Sequence, residues 1–272
     1  MDAMLRALSP RRRLLVVAVA LVVVATAGLA VALRLAGPRE RDAETAPAVT
    51  PVVLVPGYGG TPASLSTLER RLRTPLRPVV VADLPDRGTG EMDASVRALG
   101  RTVAATGARK VDLVGYSAGG IVVRAWLRQG GNAARARHVV LLGSPNHGAE
   151  LATLAGSVDP SLCVATCADL EAGSSFLARL NAGGETPPGP DYVSVWTQRD
   201  QTVTPPDSAL LQGAMNVRVQ DVCADATFGH GGLVRDPLAL GLVVRAVEGG
   251  LSQAPGSADC QPLRALGALV AP

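Results

Sequence analysis

The chain has 272 residues, of which 47% are hydrophobic and 3% aromatic, and its formal net charge is +3. Residues 1–48 contain seven arginines and four acidic residues, so they account for all of that charge and the remaining sequence is neutral. A neutral main part presents no basic surface to nucleic acid, which excludes nucleic-acid binding as its role. Its length and apolar content are sufficient for a large core built mainly from Val, Leu and Ala.

Near the N-terminus, arginines at positions 6 and 11–13 precede an uncharged apolar segment at 14–33. A helix of that length, at about 1.5 Å per residue, spans about 30 Å, which is the thickness of a bilayer core. Residues 1–13 are expected to stay cytoplasmic because basic flanks do so. The segment also contains Ala25-Thr26-Ala27, which fits a signal-peptide cleavage site. The sequence thus predicts an extracytoplasmic protein, either secreted after cleavage following Ala27 or anchored by a transmembrane helix.

Residues 34–49 are charged and rich in Pro and Ala without periodicity, which predicts a linker, and the folded domain is expected at 50–272. Within it, short apolar runs alternate with helix-length segments, as is typical of a parallel sheet covered on both faces. The predicted strands lie at 52–55, 79–82, 111–114, 138–142, 192–196 and 217–219. The predicted helices follow Pro62, cover 92–105, follow Ser117 and cover 237–247. We therefore expect one α/β domain with about six mostly parallel strands.

The sequence Gly115-Tyr116-Ser117-Ala118-Gly119 has the G-x-S-x-G pattern of a nucleophile elbow. A β-branched run precedes it and an amphipathic run follows it, which is the strand-turn-helix setting that this motif requires. In such a turn the serine is held in a strained conformation and its hydroxyl projects above the sheet. Ser117 is therefore the candidate nucleophile.

A serine nucleophile needs a histidine base, and the chain has three histidines. His230 lies in a Gly-rich loop between the last predicted strand and the last helix, where the Ser-acid-His order places the base. His147 follows the end of a strand and is a candidate for lining the site. His138 opens a strand and is interpreted as structural. His230 is the preferred base, with His147 as the alternative.

The acid that orients the histidine is expected on a loop after a strand between Ser117 and His230. Asp200 fits best, because its segment leaves the carboxyl end of a predicted strand and enters a polar turn. Asp225 is the main rival, with Asp221 behind it, and a turn-capping role for Asp200 is the non-catalytic alternative.

Two backbone N–H groups are needed for an oxyanion hole, one after the nucleophile and one on an early strand-helix loop. Ala118 supplies the first. Tyr58, among the glycines of residues 56–60, is the candidate for the second, and its ring is expected to wall the acyl pocket.

These motifs together resemble a known family, the small secreted bacterial lipases and esterases known as class 2 lipases. The resemblance covers residues from about 50 to 248 and rests on VPGYGG at 55–60, GYSAGG at 115–120, SPNHG at 144–148, RDQTV at 199–203 and GHGGL at 229–233. It implies the α/β-hydrolase fold, hydrolysis of carboxylic esters without a metal or cofactor, a Ser117–Asp200–His230 triad, and Tyr58 and Ala118 as oxyanion donors. The chain departs from the family at Pro56, where relatives often have His.

An excursion of about forty residues separates His147 from position 191, with helical runs near 151–154 and 170–180. It is interpreted either as a cap over the acyl pocket or as a surface excursion with one buried face. The four cysteines of an exported chain predict disulfides, and we expect Cys163–Cys167 and Cys223–Cys260. Metal binding by Cys163 and Cys167 is disfavoured because a second ligand pair is missing.

The sequence therefore predicts a monomeric serine esterase or lipase acting on a small-molecule or lipid ester, with membrane contact only through its N-terminal helix. Two alternatives remain open at this stage. One is an extracytoplasmic acyltransferase that passes the same acyl-enzyme to another acceptor. The other is a non-catalytic binding protein on a hydrolase scaffold.

Overall fold

The computed structural model describes residues 50–150 and 165–268, together with a few helical residues between positions 11 and 28. The chain divides into two compact units, residues Met1–Ala48 and Val49–Pro272. Among the described residues, no helix is both long and apolar enough to cross a membrane. The segment 14–33 and the 34–49 linker lie largely or wholly outside the described residues, so the anchor, signal peptide and linker stay predictions.

The second unit is built on a six-stranded sheet with the order β2-β1-β3-β4-β5-β6. All neighbouring strands are parallel, which confirms the predicted sheet. The strands are β1 (Val52–Val55), β2 (Val79–Val81), β3 (Val111–Tyr116), β4 (Ala136–Leu142), β5 (Asp191–Trp196) and β6 (Met215–Arg218). The last strand was predicted at 217–219, but it lies at Met215–Arg218, and Val219 already begins a helix.

Helices cover the sheet on both faces. They are α1 (Ser66–Leu72), α2 (Met92–Ala105), α3 (Ala118–Leu127), α4 (Ala165–Asp169), α5 (Ser175–Asn181), α6 (Val219–Val222), α7 (Pro237–Val247) and α8 (Cys260–Ala268). Alternate residues of β1 point to opposite faces of the sheet. Val52 and Leu54 pack with α1 and α7, whereas Val53 and Val55 pack with α2 and α3. This double burial explains why the strands read as continuous apolar runs.

Helix α8 was not predicted from the sequence. Its buried residues are Leu263 and Gly267. The helix packs closely on α7, since a Cβ on Gly267 would lie 1.7 Å from the Pro237 carbonyl oxygen. A Cβ on Gly241 would likewise lie 2.0 Å from the Leu263 carbonyl oxygen. Glycine at the contact, instead of a row of large apolar side chains, allows α8 to dock.

The predicted disulfide between Cys223 and Cys260 is present, with 5.2 Å between the two Cα atoms. It joins the segment just before His230 to the first residue of α8. Cys167 is also disulfide-bonded. Cys163, its predicted partner, lies outside the described residues.

Because all six strands are parallel, their carboxyl ends lie at one edge of the sheet. The segments that follow β1, β3, β4, β5 and β6 therefore meet there. In open α/β sheets this edge is where ligands bind. The predicted site residues Tyr58, Ser117, Asp200 and His230 all lie in these segments.

Candidate active site

Ser117 lies in the tight turn between β3 and α3, with φ 54° and ψ −129°. A positive φ is unfavourable for a residue with a Cβ and costs about 1–3 kcal/mol, so surrounding contacts must hold it. The turn fits only because glycines flank it. A Cβ on Gly115 would lie 2.5 Å from the Gly120 Cα, and one on Gly119 would lie 2.3 Å from the Val55 carbonyl oxygen. The elbow geometry predicted from the motif is therefore present.

The loop after β1 lies directly against the serine side chain. A Cβ on Gly57 would be 2.9 Å from the Ser117 Cβ and 3.5 Å from its Oγ. Tyr58 follows with 40% of its surface exposed, and the Gly60 N–H donates to the Gly57 carbonyl at 3.0 Å. Ala118 is the first residue of α3, where backbone N–H groups have no acceptor within the helix. Both predicted oxyanion donors thus lie on segments that border Ser117.

His230 and Asp200 form a short contact, with 2.7 Å between His230 Nδ1 and Asp200 Oδ2. The other Asp200 oxygen, Oδ1, accepts hydrogen bonds from the N–H groups of Thr202 and Val203, each at 2.9 Å. Asp200 therefore caps its own turn and also holds the histidine. The two roles, which were alternatives from the sequence, coexist because a carboxylate has two oxygens.

The loop that carries Asp200 and the loop that carries His230 are in direct contact. The Thr197 hydroxyl, just after β5, donates to the Phe228 carbonyl at 2.9 Å. A Cβ on Gly229 would lie 2.9 Å from the Arg199 carbonyl oxygen, so the backbones touch. The loop that carries the acid and the loop that carries the base are therefore positioned as one unit.

The His230–Asp200 pair adjoins the elbow through the end of β4. Ser117 N–H donates to the Leu142 carbonyl at 2.8 Å. The next residue, Gly143, has φ +55°, and a Cβ there would lie 3.1 Å from His230 Nδ1 and 3.2 Å from Asp200 Oδ2. A side chain at Gly143 would clash with Leu233, whose Cδ1 would lie 2.6 Å from the Cβ, and would press on the pair. Sequence reasoning did not single out this glycine, because its role depends on three segments that are distant along the chain.

A second residue missed from the sequence is Tyr116, the variable residue before the serine. Its ring centroid lies 4.9 Å from that of His230, and the two ring planes are inclined by 33°. Burial, reinforced by the Asp200 carboxylate, raises the pKa of Tyr116 to about 12. Tyr116 is therefore a neutral phenol packed on the candidate base.

The rival acids have other partners. Asp225 is paired with Arg264 at 2.9 and 3.0 Å, and Asp221 accepts from Arg218 Nε at 2.9 Å. Both carboxylates are largely exposed. Of the three candidate acids, Asp200 is the one that the fold brings to His230.

The other histidines also bind carboxylates. His147 Nε2 lies 2.8 Å from Glu185 Oε1, with its side chain half exposed. Its predicted role in lining the site stays a prediction. His138 is buried at the start of β4, and its Nδ1 lies 3.1 Å from Asp112 Oδ1. That location, at the sheet edge opposite Ser117, agrees with a structural role.

A buried arginine ties the elbow helix to neighbouring segments. Arg124 of α3 donates to Asn146 Oδ1 at 3.2 Å and to Asn181 Oδ1 at 2.6 Å. Burial lowers the pKa of Arg124 to about 10, against the opposing effect of Glu185. Asn146 belongs to the SPNHG segment, which explains why that segment has a fixed path. No local pattern marks Arg124 or Asn146 in the sequence, because a lone arginine on a helix is usually exposed.

The described part of the excursion packs on the domain. Leu170, Leu177 and Leu180 are buried in the same apolar cluster as α2 and α3. The predicted helical run at 170–180 begins only at Ser175, because residues 170–174 form a turn with Gly173 at φ +80°. The Ser174 hydroxyl then caps α5 through the Leu177 N–H. This part is therefore a surface excursion with one buried face, and residues 151–164, including the predicted run at 151–154, lie outside the described residues.

One group of potential metal ligands is close together in the described residues, namely Cys223, Asp225 and Cys260. The two cysteine sulfurs are bonded to each other. Neither is then available as the thiolate that a metal would bind.

Comparison with known proteins agrees with this geometry. Residues 94–225 match the family model of class 2 lipases. The match covers just under half of the 272-residue chain and includes the elbow and Asp200 but not His230. The resemblance inferred from the motifs is therefore confirmed. No curated protein matches the sequence.

Solved structures show the fold of this domain. Lipase B of Aspergillus fumigatus superposes with a TM-score of 0.65 at 19% identity, covering 82% of this chain and 57% of that enzyme. A mature Bacillus licheniformis lipase has a TM-score of 0.55 at 20% identity, covering 70% and 88% of the two chains. A Listeria innocua gene product has a TM-score of 0.55 at 15% identity, covering 75% and 96%. The domain thus has the α/β-hydrolase fold of the two lipases.

Proposed function

We propose that this protein is a serine hydrolase that cleaves carboxylic esters through an acyl-enzyme. The observation that carries the proposal is the 2.7 Å contact between His230 Nδ1 and Asp200 Oδ2, placed beside a strained Ser117. A base oriented by a carboxylate and adjoining an elbow serine is the arrangement that activates a hydroxyl for acyl transfer.

In the first half of the reaction, Ser117 Oγ attacks the ester carbonyl carbon while His230 takes its proton at Nε2. Asp200 accepts a hydrogen bond from the Nδ1–H. This bond selects the tautomer with a basic Nε2 and stabilises the imidazolium that forms. The tetrahedral intermediate then expels the alcohol, which leaves with the proton from His230. Ser117 remains as an acyl ester.

In the second half, water attacks the acyl-serine and gives its proton to His230. Collapse of the second intermediate returns that proton to Ser117 and releases the carboxylic acid. The backbone N–H groups of Tyr58 and Ala118 are proposed to bind the oxyanion in both steps. Such donors are typically worth about 10²- to 10³-fold in kcat each.

The test compares hydrolysis of p-nitrophenyl butyrate and p-nitrophenyl palmitate by the full chain in mild detergent with that of S117A. We expect S117A to lose about 10⁴-fold or more of the activity, since no other group replaces the nucleophile. The ratio of the two rates distinguishes an esterase from a lipase.

Ser144 provides a matched control for this test. It lies in the neighbouring loop, and in the described part of the chain its buried hydroxyl has no hydrogen-bond partner. S144A is therefore expected to keep wild-type activity. Equal turnover by S117A and the wild type would reject the proposal. Products formed with an added alcohol would show whether the acyl group passes to water or to another acceptor.

We also propose an extracytoplasmic location for the domain. The Cys223–Cys260 disulfide supports it, because such bonds persist in oxidising compartments. Fractionation of producing cells tests this, and N-terminal sequencing of the product decides between cleavage after Ala27 and retention of an anchor.

A further inference from the structure

Tyr116 contacts His230 in two ways. Its ring packs against the imidazole at a centroid distance of 4.9 Å. Its hydroxyl lies 3.5 Å from the His230 carbonyl oxygen, at the outer limit for a hydrogen bond. The ring contact, which touches the part of His230 that moves protons, is the stronger of the two observations.

Tyr116, which packs on His230, directly precedes Ser117 in the chain. Tyr116 is the last residue of β3, where it pairs with Leu142 of β4. Ser117 follows at once and donates its N–H to the same Leu142. A single rigid turn therefore holds both the hydroxyl that loses the proton and the ring that touches the imidazole receiving it.

Asp200 contacts the imidazole at one edge only. The hydrogen bond at Nδ1 acts in the plane of the ring and supports neither of its faces. The Tyr116 ring supplies a contact on a face, because a tilt of the imidazole toward it would drive the two rings together. Gly143 borders the Nδ1 side and has no side chain, so it leaves room for the pair and adds no such contact.

We propose that Tyr116 is a positioning residue for His230, which holds the imidazole plane so that Nε2 faces Ser117. This inference rests on the proposed function. It assigns a role to the variable residue of the elbow motif. Tyr116 acts through His230 and takes no part in bond making. Its loss is thus expected to slow the chemical step and to leave substrate binding largely unchanged.

The test measures kcat and KM for p-nitrophenyl butyrate with the full chain and two variants. Y116F keeps the ring and removes the hydroxyl, so kcat and KM should stay within about twofold of wild type. Y116L removes the ring, and kcat should fall by about 10- to 100-fold with KM within about twofold, as expected when a reacting group is misplaced. An unchanged kcat in Y116L, or a loss confined to KM, would overturn the inference.

A spectroscopic measurement keeps the inference testable if Y116L folds poorly. The chain contains three histidines, so the imidazole protons of His230 can be assigned by NMR from their absence in H230Q. The Tyr116 ring should displace these resonances from their free-histidine positions in the wild type and in Y116F. Resonances at free-histidine positions in the wild type would refute the contact.

S117A separates this inference from the proposed function. It should abolish turnover and leave the displaced His230 resonances in place. If S117A retains full activity, the proposed serine mechanism fails and the role of Tyr116 fails with it. If S117A is inactive and Y116L is as active as Y116F, the serine mechanism stands and the positioning role alone is rejected.

Discussion

Two buried histidine–aspartate pairs lie at opposite edges of the same sheet. His230 and Asp200 follow the carboxyl ends of the strands, with side chains that are 9% and 2% exposed. His138 and Asp112 lie near the amino ends of β4 and β3, with side chains that are 11% and 1% exposed. Burial therefore does not distinguish the two pairs, and their different roles must come from their neighbours.

The neighbours differ in charge and chemistry. Arg137 binds both oxygens of Asp112, at 2.9 and 2.5 Å, and Asp191 lies 3.8 Å from the far nitrogen of His138. That pair belongs to an ion-pair cluster joining three strands. His230 instead has Tyr116 on its ring and adjoins Ser117 through the end of β4. A histidine–carboxylate pair thus becomes a candidate catalytic element only where a nucleophile is placed beside it.

The largest expected effect is on kcat, which should fall when the His230–Asp200 pair is altered but not when the His138–Asp112 pair is. Replacing Asp200 with Asn keeps an acceptor for the Thr202 and Val203 N–H groups but no longer selects the correct tautomer of His230. D200N should therefore lower kcat by about 10³- to 10⁴-fold. D112N, the matched variant at the other edge, should keep kcat within about twofold. Steady-state kinetics on p-nitrophenyl butyrate measures both, and a similar loss in the two variants would break the distinction.

The next largest effect is on stability, where D112N is expected to lose more than D200N. Asp112 is buried beneath Arg137 and His138, so D112N leaves Arg137 without its counterion and removes one hydrogen-bond acceptor from the cluster. We expect it to reduce the free energy of unfolding by about 2 kcal/mol, because hydrogen bonds to charged groups contribute about 1.5–3 kcal/mol and the Arg137 left behind is partly solvated. D200N should cost less, because its turn hydrogen bonds survive. Urea unfolding of both variants at neutral pH makes the measurement, and greater stability of D112N than of D200N would contradict the structural role.

The smallest effect is a pH dependence of stability. Burial by itself would raise the pKa of Asp112, but hydrogen bonds from His138 and Arg137 outweigh it and the pKa lies below its usual value. The pair therefore contributes its full stability above the pKa of an unfolded aspartate, about 3.9, and loses it as the pH falls through the lower folded value. The stability difference between wild type and D112N should shrink across this acidic range. A difference that stays constant from pH 7 to pH 3 would show that ionised Asp112 contributes nothing.

Local sequence patterns were sufficient for most of the sheet. Residues 52–55 of β1 and 139–142 of β4 are buried on both faces, so each shows a continuous apolar stretch. The prediction for β6 was displaced because Val217 and Val219 look alike in the sequence, although Val217 lies in a strand that ends at Arg218 and Val219 starts a helix. α8 was not predicted, because its close contact with α7 is made at Gly267 of α8 and Gly241 of α7, and glycines at a contact do not mark it in the sequence as large apolar residues do.

By itself, the sequence determined the fold class, the elbow at Ser117 and the order of the candidate residues, because these depend on local spacing and on hydrophobic burial. The tertiary structure decided which acid meets the histidine. Asp225 is closer to His230 along the chain, yet it pairs with Arg264, whereas Asp200 reaches His230 across thirty residues. It also decided the places of Tyr116 and Gly143. Such contacts join segments that are distant in the chain, and their geometry is set by the packing of whole strands and loops.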